Sequence, residues 1–151
     1  MVLYLLVNLA LGVEGGINQP LIGFDNLNSG VVFNVSLSND LGVVGLSLAL
    51  QGSFYQGKNP GYSLGSYGAR FEFTKHNWRF TPVIELGSDY IYRELNQLKE
   101  SGFTLSYGIG FQLKFRYESI RVYPEFLYDG LTDFSTQAGF LGIRLGIGYE
   151  L

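Results

Sequence analysis

The chain has 151 residues, enough for one core or one small closed barrel, and it has no cysteine, which excludes disulfides, thiolate metal sites and a thiol nucleophile. Ten Lys and Arg against thirteen Asp and Glu give a formal charge of −3, which excludes the basic face that a nucleic-acid backbone needs. Twenty-one Gly without a Gly-X-Y period exclude collagen, and eleven Tyr with twelve Phe argue against disorder.

No stretch reaches the roughly 18 uninterrupted apolar residues of a spanning helix, so a membrane would have to be crossed by strands. The opening MVLYLLVNLALG lacks a basic n-region and a clear small-residue cleavage site. Alternation starts at Leu9, so residues 1–8 read as a leader remnant or the start of strand one, within a single domain of residues 1–151.

The first alternating run sets Leu9, Leu11, Val13 and Ile17 against Ala10, Gly12, Glu14, Gly16 and Asn18, and stops at Pro20. The second carries Val31, Phe33, Val35 and Leu37; the third carries Val44, Leu46, Leu48, Leu50 and Phe54. The fourth opposes Tyr67, Ala69, Phe71 and Phe73 to Gly68, Arg70, Glu72 and Thr74. In the fifth, Trp78, Phe80, Pro82, Ile84, Leu86, Tyr90 and Tyr92 oppose Arg79, Thr81, Glu85, Gly87, Asp89 and Arg93.

The sixth run is the clearest. From Phe103 to Tyr117 every second residue is large and apolar, against Thr104, Ser106, Gly108, Gly110, Gln112, Lys114 and Arg116. The seventh places Ile120, Val122, Pro124, Phe126 and Tyr128 opposite Arg121, Tyr123 and Glu125; the eighth places Leu141, Ile143, Leu145, Ile147 and Tyr149 opposite Gly142, Arg144, Gly146, Gly148 and Glu150.

Short turns are expected at Asn39-Asp40, Lys75-His76-Asn77 and Glu118-Ser119, and longer loops at 19–30, 52–65, 94–102 and 129–139. An up-and-down meander would gather the long loops at one end and the short turns at the other, as outer-membrane barrels do. The fold class is therefore all-β, an eight-stranded antiparallel up-and-down transmembrane barrel.

Three features set the polar face inward. Its small residues leave room in a lumen that eight strands make only just wide enough for side chains. It carries charges of both signs suited to mutual pairing: Glu14, Arg70, Glu72, Arg79, Glu85, Asp89, Arg93, Lys114, Arg116, Arg121, Glu125 and Arg144. Aromatics on the apolar face gather at two levels, Trp78, Phe115, Tyr117 and Tyr149 toward the short turns and Tyr92, Phe103 and Tyr128 toward the long loops, as lipid-interface girdles would. The turns predict Glu72 beside Arg79 and Lys114 beside Glu125. Pro82 and Pro124 each remove a ladder donor, and a bulge or distortion is expected at each.

The segments RFTPVIELGSDYIY, FTLSYGIGFQLKF, RVYPEFLY and GIRLGIGYEL resemble the Pro-containing, Gly-alternating and closing strands of the small eight-stranded outer-membrane barrel family typified by OmpX and the OmpA transmembrane domain. The resemblance implies outer-membrane location in a Gram-negative-type bacterium, lipid as the surrounding partner and the barrel-assembly machinery as a partner in biogenesis. Members usually end in an aromatic residue; here Tyr149 stands two positions before Leu151.

No cofactor, metal or catalytic residue is expected. Lipid A-deacylating barrels use a His and a Ser near the outer leaflet, whereas this chain has no His-X-Ser and His76 falls in a short turn. The leading expectation is a non-enzymatic structural or adhesive protein, with a surface ligand met by loop aromatics such as Phe24, Tyr55 and Phe134. A lipid A or phospholipid-modifying enzyme and a soluble lipocalin-like binding barrel are the alternatives.

Overall fold

Strands form because each run sets β-branched and aromatic side chains on one face and small or polar ones on the other, a period that fits a pleat and leaves no helical stripe. The computed structural model describes residues 9–75, 78–132 and 137–151. Its elements are β1 (Leu9–Ile22), β2 (Gly30–Asp40), β3 (Val44–Gln56), β4 (Tyr62–Lys75), β5 (Phe80–Leu95), β6 (Leu98–Leu113), β7 (Phe115–Tyr117), β8 (Ile120–Thr132) and β9 (Gln137–Glu150).

Neighbours pair antiparallel, β1 closes onto β9, and β6 pairs β8 directly. β6 and β7 are one stave interrupted at Lys114, so the nine strands form an eight-staved barrel. Closure satisfies the backbone within the wall, which a structure surrounded by hydrocarbon requires.

Burial shows which way the faces point. Leu50 is 65% exposed and Ile109 61%, whereas Glu85 and Glu125 are 1% exposed and Arg144 2%. A soluble barrel would show the reverse, since exposing this much apolar side chain to water is unfavourable and burying charge is more so. The lipocalin-like alternative fails here, and the barrel is a transmembrane one.

The outer surface is smoothed by rings lying over glycines. Phe33 faces Gly52 across β2–β3, Tyr92 faces Gly65 across β4–β5, and Tyr107 faces Gly130 across β6–β8. A Cβ at Gly52 would stand 2.5 Å from Phe33 Cζ, so the ring occupies the space that a side chain would fill.

The two prolines are accommodated differently. Pro82 stays in register with Phe111, with no shift, and lies one residue beyond the end of the β4–β5 ladder at Thr74↔Val83. Pro124 keeps its register with Leu145 of β9. On its other side the β6–β8 pairing ends at Gln112↔Glu125 and resumes as β7–β8 at Phe115↔Val122, so Pro124 stands opposite Leu113 in the gap. With no N–H to donate, it sits where the ladder lapses. A further irregularity, between Pro20 and Ile22, lets β1 run past the proline at which it was expected to stop.

The expected loops shrink because their flanks are strand. β3 reaches Gln56 and β4 starts at Tyr62, leaving 57–61; β8 runs to Thr132, taking in Asp129. β5 and β6 continue to Leu95 and Leu98, joined by Asn96 and Gln97 with φ of 46° and 76°, the positive pair of a type I′ hairpin. Asn39 and Asp40 belong to β2, and the turn there is Leu41-Gly42-Val43. The expectations for residues 1–8, His76 and Phe134 lie outside the described residues.

Candidate functional site

The lumen has three layers. Toward the loop end, Leu27, Tyr55, Leu64, Leu131, Ala138 and Phe140 form a buried apolar plug, with Phe24 packed against it. Tyr55 and Phe140 ring centroids are 4.8 Å apart. Tyr55, expected at the surface as a ligand contact, is instead buried, because β3 extends far enough to turn it inward.

The middle layer is ionic. Arg70 Nη1 lies 2.9 Å from Glu85 Oε2 and 2.5 Å from Asp129 Oδ1, and its Nη2 lies 3.0 Å from Asp89 Oδ2. Arg144 pairs with Asp129, with Glu85 at 3.2 Å and with Glu125 at 3.6 Å. Glycines give these side chains their space: Gly16 stands opposite Arg144 and Gly87 opposite Arg70, where an added Cβ would meet the arginine Cγ at 2.9 Å and 2.7 Å.

Glu14 and Glu72 lie in the same layer without an ion pair among the described residues. Tyr123 donates its hydroxyl to Glu14 at 3.4 Å, and Gln112 Nε2 donates to Glu72 at 3.5 Å. Two buried guanidinium groups, of Arg70 and Arg144, thus face six buried carboxylates: Glu14, Glu72, Glu85, Asp89, Glu125 and Asp129.

At the turn end, Arg121 bridges Asp40 at 2.9 Å and Glu150 at 2.5 Å, Arg116 also pairs with Glu150, and Lys114 Nζ donates to Thr74 Oγ1 at 3.4 Å.

The structure therefore divides the expected network. Glu14, Arg70, Glu72, Glu85, Asp89, Glu125 and Arg144 line the centre of the lumen, while Lys114 and Arg121 stand at its mouth. Arg79, Arg93 and Arg116 are outside it. Arg79 is exposed on the turn-side rim with its guanidinium 5.2 Å from the Phe115 ring centroid, because β5 begins only at Phe80. Arg93 pairs with Glu100 across the projecting hairpin.

The expected pairs also differ. Glu72 stands opposite Glu85, not beside Arg79, and Glu125 stands opposite Arg144 with Gln112 on its other side, not beside Lys114. Asp129, Asp40, Glu150, Asn18 and Tyr123 were not singled out as site residues; Asp129 was read as loop, although its period-two spacing after Glu125 and Leu127 was available as a signal.

The interface aromatics Trp78, Phe115, Tyr117 and Tyr149 are exposed at the turn end. Tyr92 and Phe103 are exposed at the other end, and Tyr128 is half-buried beside Tyr107. Among the described residues no group of three or more His, Asp or Glu is placed to hold a metal ion.

This architecture is shared with solved structures. Neisserial surface protein A aligns over 95% of this chain and 97% of its own, with TM-score 0.65 and 10% identity. The attachment invasion locus protein Ail of Yersinia pestis aligns over 95% and 97%, with TM-score 0.62 and 14% identity. The N-terminal β-barrel domain of Pseudomonas aeruginosa OprF aligns over 93% and 97%, with TM-score 0.56 and 16% identity. No family model and no curated protein sequence matches the chain. The fold is that of the small eight-stranded outer-membrane β-barrels, as the strands of the second half implied.

Proposed function

We propose that the chain is an integral outer-membrane barrel that conducts no ions, catalyses no reaction, and acts as a structural or adhesive protein through its loop end. The observation that supports this reading is the sealed interior: an apolar plug above a layer in which Arg70 and Arg144 pair with Glu85, Asp89, Glu125 and Asp129. An eight-stranded lumen filled in this way leaves no continuous water path.

What remains for recognition is the projecting β5–β6 hairpin. From Arg93 to Phe103 alternation of burial is lost, with every residue but the half-buried Glu94 exposed. The exposed Leu95 and Leu98 beside its turn offer an apolar contact beyond the wall. Ail has been solved with the heparin analogue sucrose octasulfate. Here Lys58, Arg93 and Lys99 are matched by Asp25, Glu94 and Glu100, and Arg93 is paired with Glu100, so a polysulfated ligand is not favoured.

Attachment of cells displaying the barrel to immobilised matrix protein is the test, run beside a variant in which residues 94–99 are replaced by a two-residue turn. Attachment should fall to the level of cells lacking the protein while folded barrel, read by heat-modifiable gel migration, stays constant. Undiminished attachment by the trimmed barrel would defeat the adhesive reading, and a steady single-channel conductance in planar bilayers would defeat the sealed one.

A further inference from the structure

The turn-side wall carries a notch with a chemistry of its own. The β5–β6 ladder ends at Phe80↔Leu113, followed by one backbone bond from Lys114 N–H to the Arg79 carbonyl at 2.8 Å. Among the described residues, β7 pairs only with β8, and no ladder ties Trp78 or Arg79 to Phe115–Tyr117.

A cavity of about 300 Å³ opens between them, lined by Trp78, Arg79, Lys114, Phe115, Arg116, Arg121 and Asp40. Among the described residues, four cations therefore meet one carboxylate, and Glu150, which pairs with Arg116 and Arg121, raises the acid count to two. Arg121 is committed to Asp40 and Glu150. Arg79 has no carboxylate at ion-pair distance among the described residues and rests on the Phe115 ring; Lys114 Nζ donates to the neutral Thr74 hydroxyl, with Asp40 and Glu72 near enough to attract it.

This excess of positive charge, with Arg79 its unpaired member among the described residues, sits at the level of the exposed Trp78, Phe80, Phe115 and Tyr117, where aromatic rings mark the boundary of hydrocarbon and headgroups. The short-turn end of such a barrel faces the periplasm.

We propose that the notch binds the phosphodiester of an anionic glycerophospholipid from the periplasmic leaflet, with Arg79 and Lys114 as its charge partners and Trp78 and Phe115 flanking the glycerol. Guanidinium and ammonium groups at a membrane surface attract anionic headgroups by about fivefold in affinity each. The site rests on membrane insertion and is independent of the adhesive role of the opposite end.

Trp78 is the single tryptophan of the chain and lies in the notch, so it reports occupancy directly. The barrel is reconstituted in phosphatidylcholine vesicles containing a small fraction of either brominated phosphatidylglycerol or brominated phosphatidylcholine, and quenching of Trp78 is compared. The expected result is stronger quenching by brominated phosphatidylglycerol at equal fraction, with the preference reduced about fivefold in Arg79→Gln and abolished in Arg79→Gln/Lys114→Gln. Arg93→Gln at the far end should keep the full preference.

Arg79 is outside the wall, so its single variant stays informative if the double variant does not fold. Heat-modifiable migration separates a failure to insert from a failure to bind. Equal quenching by the two lipids, or an undiminished preference in folded Arg79→Gln, would overturn the site. A Trp78 response to inorganic phosphate alone, without lipid preference, would assign the notch to a free anion and likewise overturn it.

Discussion

Arg70 on β4 and Asp129 on β8 meet across the lumen, with Nη1 2.5 Å from Oδ1. The same carboxylate pairs with Arg144 of β9 and accepts Asn18 Nδ2 of β1 at 3.2 Å, so one side chain ties four staves together. The pair is a cross-brace rather than a rung, since β4 and β8 are not neighbours in the sheet.

Asp129→Ala is expected to lower barrel stability by roughly 1–3 kcal/mol, because Arg144 Nη2 loses its acceptor and the tie from Arg70 to β8 is lost, while both arginines keep other carboxylates. The midpoint of urea unfolding in detergent, followed by heat-modifiable migration, measures it. Asp25→Ala, at an exposed loop carboxylate, is the comparison and should leave the midpoint in place. Coincident midpoints would show that the ionic layer adds nothing to stability.

Glu72 predicts the opposite sign. It is buried, stands opposite Glu85, and among the described residues its hydrogen-bond partner is the Gln112 amide at 3.5 Å, with no cation at ion-pair distance. An acid without a cation in a buried layer gains nothing from its charge. Glu72→Gln should therefore hold or raise the urea midpoint, while Glu85→Gln, which takes charge from both Arg70 and Arg144, should lower it. A fall in Glu72→Gln equal to that in Glu85→Gln would refute the distinction.

These two glutamates also show how far the sequence could be read. Eight strands and the inward face were legible because period two is enforced wherever one side of a strand meets hydrocarbon and the other a packed lumen. Where strands leave the membrane that constraint ends: from Arg93 to Gly102 polar residues occupy both faces, and a hairpin looked like a loop. Ion pairs were less legible for a different reason. Sequence proximity across a turn predicts rungs such as Glu72 with Arg79, whereas the real partners are neighbours further along the strands, such as Arg70 with Asp89, joined by braces such as Arg70 with Asp129, set by which side chains reach the axis at the same height.

Pro124 offers a test of what breaks the sixth stave. It faces Leu113 at the gap between β6 and β7, and it lacks the donor that a residue there would supply. Pro124→Ala restores that donor without adding bulk. Amide hydrogen exchange at Leu113 and Phe115, whose N–H groups face β8 while that of Lys114 is bonded to the Arg79 carbonyl, should slow as the ladder closes, and exchange near Pro82, on the neighbouring seam, should not change. Unaltered exchange at those two amides would place the cause elsewhere.

The hairpin turn carries the last prediction. Asn96 and Gln97 hold φ of 46° and 76°, and both central positions of a type I′ turn need the left-handed region. Asn tolerates it; Gln, with a longer side chain and no local hydrogen bond of its own, is disfavoured there by roughly 1 kcal/mol. Gln97→Gly removes that strain and keeps the Leu95↔Leu98 pair that closes the hairpin. Opening of the projecting β5–β6 segment should become about fivefold rarer, seen as slower amide exchange from Glu94 to Glu100 with no change in the spanning segment. Faster exchange there would mean that the turn draws its stability from Gln97 itself, and that the hairpin end is not the strained, adjustable element its backbone angles indicate.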